Sequence, residues 1–234
     1  MQSVPVVVFT CDSYLNLIPA FSYLFNTYWS SLQKVFVVGY TPPTFKLPDN
    51  FIFASMADEN IPSEFWTDSA KQFLSSLDSE YAVILLDDYF LIRTMDVSAV
   101  SALTEYMIIQ NDVMRMDLVD DRQFSGTAFA AGHWGHFDLI ETPGDSPYQL
   151  SLQPAIWNIP MLLEIMGDNM SPWEFEMESQ HIHEMEGHRV LGTKQCPLQY
   201  SNTVGMGRGT IDEPFLDEIP EDHIAHVKEL LKNK

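Results

Sequence analysis

The sequence predicts an α/β protein with a mostly parallel central sheet flanked by helices and a smaller mixed or antiparallel region. Three observations carry this. Up to residue 110, short β-branched runs alternate with segments of helical period, the pattern of strand–helix–strand units with right-handed crossovers. One run, Tyr81-Ala82-Val83-Ile84-Leu85-Leu86, is continuously apolar and ends in Asp87-Asp88, as a strand buried on both faces does where it leaves the sheet. After residue 110, apolar and polar positions alternate, which suits antiparallel strands.

Taken in order, Val4 to Thr10 reads as a first strand, with Pro5 near its start where a missing donor is tolerated. Residues 15 to 32 follow helical spacing through Leu15, Ile18, Phe21, Leu24, Phe25, Tyr28 and Leu32. Lys34 to Tyr40 is a second strand, stopped by Thr41-Pro42-Pro43, and Phe51 to Ala57 a third. Pro62 opens a helix over 62 to 78. The apolar strand from Tyr81 follows, and Asp96 caps a helix over 97 to 110 with Val100, Leu103, Tyr106 and Met107 inward. Val113 to Val119 reads as an edge or antiparallel strand, as do Phe137 to Thr142 and Tyr148 to Trp157, with a turn at Pro143 to Pro147. Residues 160 to 166 form a short helix, Pro172 starts another to Met185, and Val190 to Gln195 is a short strand. Gly205 to Gly209 is a loop, and a helix from Pro220 to Leu231 closes the chain.

A chain of 234 residues with 46% hydrophobic content suits one domain with a full core. Cys11 and Cys196 lie far apart and form no metal or redox pair by spacing. No basic, apolar leader precedes Val4 and no apolar run reaches bilayer length, so the expectation is a soluble intracellular protein without stable membrane insertion. The formal charge of -21 disfavours broad contact with phosphate backbones or anionic lipid. An anionic ligand would need metal ions and a few well-placed cations.

Asp87 and Asp88 are the first candidates for chemistry. Open α/β sheets bind ligands at the carboxyl ends of their strands. Adjacent carboxylates repel unless a cation joins them, and hard divalent cations take oxygen ligands. The alternative is an ordinary turn, but Tyr89-Phe90-Leu91-Ile92 continues apolar.

Three segments occur in order: Leu86-Asp87-Asp88-Tyr89-Phe90, Ser151-Leu-Gln-Pro-Ala-Ile-Trp157 and Pro172-Trp-Glu-Phe-Glu176. With Thr10-Cys11-Asp12-Ser13-Tyr14 after the first strand, the chain resembles the glycosyltransferases of the GT-A fold, and among them small bacterial and phage-type enzymes. The resemblance implies one GT-A-like domain over 1–234, with residues 1–110 the nucleotide-binding half and 111–234 the acceptor-side half with the C-terminal helix. It implies a nucleotide-sugar donor, uridine-linked (UDP), and a divalent metal, manganese or magnesium, held by an Asp-x-Asp element. Here the third position of that element is Tyr89. The roles implied are Asp88 on the metal, Asp87 on the metal, the ribose or the donor sugar, and a cytoplasmic setting in a bacterium or an infected host cell. The acceptor is a saccharide, or a hydroxymethylated pyrimidine in DNA.

A sugar transfer needs a base for the acceptor hydroxyl. Glu176 is chosen over Glu174 by analogy, and both also suit the acid-favouring start of a helix. Trp173 is a platform for a sugar ring, Glu174 a further substrate contact and Gln153 a sugar-hydroxyl partner; Trp157 equally suits the core. Thr10 and Asp12 are placed for the base or ribose and Tyr14 for stacking, while Thr10 and Asp12 equally suit a cap before residue 15. Arg208, flanked by glycines, suits closure over a diphosphate or a plain surface loop. Arg115 and Arg122 suit the same end or surface ion pairs. His181, His183 and His188 lack the four-residue spacing of a helical zinc motif. Rival readings are a non-catalytic nucleotide-sugar or carbohydrate-binding module and a sugar nucleotidyltransferase. The latter needs a basic triphosphate-binding loop, and residues 10 to 16 hold no Lys or Arg.

Overall fold

The computed structural model describes residues 4–57, 61–177, 187–202 and 216–232. Its centre is a sheet of nine strands. The first half supplies β1 (Val6–Phe9), β2 (Val35–Gly39), β3 (Phe51–Ser55) and β4 (Tyr81–Leu86), all mutually parallel in the order β3-β2-β1-β4. Their connections carry α1 (Ile18–Phe25) and α2 (Trp66–Ser75).

Beyond β4 the sheet becomes mixed. β5 (Tyr89–Leu91) leaves it to form a separate ribbon with β11 (Tyr200–Asn202). After α3 (Val97–Gln110), the chain lays down β6 (Val113–Asp117), α4 (Asp121–Phe124), β7 (Phe129–Trp134), β8 (Phe137–Glu141), β9 (Ala155–Asn158) and β10 (Arg189–Thr193). β9 lies antiparallel between β4 and β6 and joins the two halves into one sheet, continued by β10, β8 and β7. α5 (Ile159–Ile165), α6 (Pro172–Met177) and α7 (Glu221–Leu230) complete the helices among the described residues. The result is an α/β fold with parallel core strands between helices, as the sequence predicts.

Strand alternation divides the core in two. Val6, Val8, Val83 and Leu85 face α1 and α3, whereas Val7, Phe9, Ala82 and Ile84 face α2, α5 and α6. Both faces of β1 and β4 are therefore covered, which explains their unbroken apolar sequences. Asp96 accepts from the Ser98 amide and caps α3. Left-handed Asn111 ends that helix. No helix among the described residues is long and apolar enough to cross a membrane.

Four expectations need correction. β6 pairs antiparallel with β9, one of the two readings offered for it, but it is no edge: all five of its residues are buried, and β10 pairs parallel on its other side. The alternation there comes from Arg115 and Asp117, which pair inside the protein at 2.8 Å. Arg122 joins them through Nε to Asp117 Oδ2 at 3.1 Å. Arg115 and Arg122 are fully buried, so neither is the surface ion pair or the diphosphate contact considered for it. The strand expected over Tyr148 to Trp157 begins only at Ala155. In the preceding loop, the Tyr148 and Gln149 carbonyls accept from the two arginines rather than from a ladder. The segment expected as one helix over 15 to 32 is a 3₁₀ turn, α1 and a π turn in succession. β7 was not anticipated, because Phe-Ala-Ala-Gly-His-Trp is poor in β-branched residues and its strand is mostly exposed.

Trp157 is wholly buried core and stacks its ring 5.2 Å from the Arg115 guanidinium. Arg208 and its glycine loop, His181, His183 and the end of the helix expected to reach Met185 lie outside the described residues.

Removing one partner of a buried ion cluster leaves charge without compensation. Asp117→Ala is expected to destabilise the fold by about 3–5 kcal/mol, read by urea unfolding.

Candidate functional site

The register of the parallel strands sets up the site. Phe9 lies opposite Leu86, so the residues leaving the sheet after them, Thr10 and Asp87, become neighbours. Thr10 Oγ1 donates to Asp87 Oδ2 at 2.5 Å, and the Asp87 amide donates to the Phe9 carbonyl at 3.2 Å. Asp88 completes the turn before β5. A cavity of about 620 Å³ opens here at the carboxyl edge of the sheet. Thr10, Tyr14, Asp87 and Asp88 line one side of it. Gln153, Trp173 and Glu176 line the other.

The structure thus brings together seven of the residues singled out in the sequence. Asp12 and Glu174 are not among the lining residues. Asp12 instead ties two loops together, accepting from the Thr41 amide at 3.1 Å and its hydroxyl at 2.8 Å. Neither Thr10 nor Asp12 caps a helix, since the 3₁₀ turn and α1 have no side-chain cap. Glu174 forms a capping box with Ser171: it accepts from the Ser171 amide at 2.8 Å, while its own amide donates to Ser171 Oγ at 3.2 Å. Gln153 lies on the wall and accepts from the Tyr200 hydroxyl. Trp173 exposes its ring, being 57% accessible.

The cavity is strongly acidic. Burial pushes the Asp87 carboxyl well above its ordinary range; the Asp88 charge adds to this and the Thr10 bond opposes it. Asp88 is pushed up to about 6, first by burial, with a further push from Glu176. Glu176 is itself raised by burial, while the Leu152 amide, bonded to Oε1 at 2.6 Å, and the Arg115 charge hold it back. Tyr89 and Tyr200 pack with ring centres 4.6 Å apart, and burial keeps both phenols protonated.

Among the described lining residues there is no Lys, Arg or His. A carboxylate pair raised in this way gains from a cation, and the all-oxygen donor set fits a hard divalent ion. No preassembled group of three or more metal-binding side chains occurs among the described residues. Magnesium-type ions commonly take one or two carboxylates and fill the rest of their shell with water and phosphate oxygens, which suits two adjacent aspartates.

Some lining residues escaped the sequence reading. Asp121 is one, and it had a signal: Asp120-Asp121 follows the β6 segment as Asp87-Asp88 follows β4. Tyr148 and Asn202 had none, because they stand in a turn and on a three-residue strand.

No protein-family model matches the chain, and no curated protein matches it. Among solved structures it is similar to the UTP-bound UGPase from Acinetobacter baumannii, with a TM-score of 0.54, 9% identity and 100% of both chains covered. It also resembles a UDP-glucose pyrophosphorylase complexed with UDP-glucose (TM-score 0.49, 11% identity, 97% of this chain and 99% of that one). A further similar structure is S. aureus TarS 1-349 (TM-score 0.48, 13% identity, 99% and 71%). At these identities the likeness is one of fold alone.

The raised value of Asp88 has a definite sign for stability. Between its ordinary 3.8 and about 6, the folded chain holds a proton that the unfolded chain releases. Folding is therefore favoured on the acid side, and the advantage is lost as pH rises through about 6. In EDTA, Asp88→Asn is expected to melt several degrees above wild type at neutral pH, with the gap closing toward about pH 4. Thermal melts followed by circular dichroism across pH check this.

Proposed function

We propose that this protein is a glycosyltransferase that moves a hexose from a uridine-linked nucleotide sugar to a hydroxyl acceptor, assisted by a divalent cation. The single observation behind the reading is the cavity at the carboxyl ends of β1 and β4, where Asp87 and Asp88 face Glu176.

Asp88 and Asp87 would hold manganese or magnesium, which when bound stabilises charge on the departing diphosphate. Thr10 and Tyr14 lie where the nucleoside would sit, with Thr10 also fixing Asp87. Gln153 serves a sugar hydroxyl from the far wall. Asp12, Glu174 and Arg208 remain assignments by resemblance alone; for Glu174, its role in capping α6 argues against substrate contact.

Glu176 is the base. Its Oε1 is engaged by the Leu152 amide, which fixes the carboxylate, and Oε2 takes the acceptor proton. The raised pKa makes it a stronger base than an exposed glutamate. As the proton moves to Glu176, the acceptor oxygen bonds to the anomeric carbon. The bond from that carbon to the diphosphate breaks, and its electron pair leaves with the nucleoside diphosphate. Direct displacement of this kind inverts the anomeric centre.

A sugar nucleotidyltransferase is compatible with the same fold. It is disfavoured by residues 10 to 16, which supply no cation for a triphosphate.

The assay is a panel of nucleotide sugars with acceptor saccharides, with and without manganese. Nucleoside diphosphate release that depends on manganese is the expected result. Pyrophosphate release from a nucleoside triphosphate and a sugar phosphate would assign the nucleotidyltransferase instead. Glu176→Gln is expected to keep donor affinity and lower the transfer rate by about 10²–10⁴. Retained turnover would remove Glu176 from its role.

A further inference from the structure

The loop before β9 is pinned along its backbone. The Leu152 amide donates to Glu176 Oε1 at 2.6 Å and the Gln153 amide to Ser151 Oγ at 3.2 Å. Pro154 further restricts the backbone of Gln153 before it. What remains to be fixed is the Gln153 side chain, which lines the cavity. Tyr200 fixes it, since its hydroxyl donates to Gln153 Oε1. Tyr200 stands on β11, whose partner strand β5 begins directly after Asp88. Its ring centre lies 4.6 Å from that of Tyr89 on β5. Tyr200 is not among the lining residues, so it bears on the cavity through Gln153.

A glutamine side chain offers an acceptor at its oxygen and two donors at its nitrogen. With Oε1 committed to Tyr200, the hydrogens of Nε2 are what Gln153 has for a ligand; no described residue accepts from them. The nearby charges favour the same orientation. Asp88, Asp121 and Glu176 all act on the Tyr200 phenol, and burial keeps it protonated and able to donate. An amide oxygen turned into the cavity would face these carboxylates, whereas an amide N–H group is drawn toward them. The wall thus joins carboxylates that accept to an amide held as a donor. A sugar hydroxyl has one hydrogen for the acids and two lone pairs for a donor. An ammonium has hydrogens and no lone pair. By charge alone the cavity would favour an ammonium; Gln153 Nε2 opposes it.

We infer that Tyr200 determines specificity: by holding the Gln153 amide as a donor, it makes this wall accept a hydroxyl and reject an ammonium at the same place on the ligand. The inference rests on the transferase reading for the nature of that ligand, a uridine-linked sugar; the pairing of Tyr200 with Gln153 does not. Tyr200 acts through Gln153 and is a positioning residue. With phenylalanine in its place, the ring still packs on Tyr89 but the hydroxyl is gone. Gln153 is then free to turn Oε1 into the cavity, where that oxygen accepts from an ammonium.

The test uses the full chain with manganese, at a pH where amino sugars are protonated. Titration calorimetry compares UDP-hexoses with their amino counterparts at each ring position, and with UDP alone. Wild type is expected to prefer the hydroxyl at one position, and Tyr200→Phe to lose about tenfold of that preference. The variant is expected to bind UDP as wild type does and to melt close to it, which separates loss of the hydroxyl from loss of the fold. Gln153→Ala is expected to lose the same preference, and the double variant to lose no more than Gln153→Ala alone. The side-chain amide signal of Gln153 in proton–nitrogen correlation spectra, assigned by its absence from Gln153→Ala, is expected to move in Tyr200→Phe without any ligand. A preference that survives Tyr200→Phe, additive losses in the double variant, or UDP binding that falls in parallel overturns the inference. So does a Gln153 signal indifferent to the hydroxyl. UDP-hexose binding with no such preference sinks the inference and leaves the transferase reading standing. No UDP-hexose binding to wild type sinks that reading and the specificity role with it; a Gln153 signal that still responds to Tyr200→Phe then leaves only the pairing.

Discussion

The site depends on two adjacent carboxylates that the fold carries out of a wholly apolar strand without releasing them to water. Strand β4 is buried on both faces, so its charge can appear only at its end. The chain then turns into β5, and Asp87 stays 5% exposed beneath the cavity. The cost of keeping these groups there is visible in their raised proton affinities. A protein selected for stability alone would place asparagine at such positions. The retained acids fit a cation-dependent chemistry.

The opposite wall is built on a different principle. Arg115 and Asp117 of β6 form an ion cluster with Asp121 and Arg122 of α4, and the remaining arginine donors reach the carbonyls of Tyr148 and Gln149. One half of the cavity is thus shaped by apolar strand register and the other by buried charge. β9 joins the two, since it pairs with β4 on one side and β6 on the other.

The difference explains what could be read in the sequence. Register and burial leave a periodic trace, so the parallel half, the Asp96 cap and the helix over 97 to 110 were legible, as was the position of Asp87-Asp88 at a strand end. Glu176, Trp173 and Gln153 were found by their motifs and do meet at one cavity. Interior charge leaves a misleading trace: Arg115 and Asp117 make a central strand look like a half-exposed one. Tyr200 was invisible, because what marks it is a hydrogen bond to Gln153 across 47 residues, which leaves no local trace in sequence. Asp12 and Glu174 lie away from the cavity lining and have local reasons to be acids, one tying two loops and one capping a helix.

The placement of β9 also governs how the molecule comes into being. While β1 to β4 emerge from the ribosome, the outer edge of β4 has no partner; the strand that covers it ends at Asn158. An open, unbroken hydrophobic edge invites pairing with other nascent chains. Assembly must therefore wait for a distant segment, and such long-range closure is slow. The newborn amino-terminal half is the stage at which this protein would most need a chaperone.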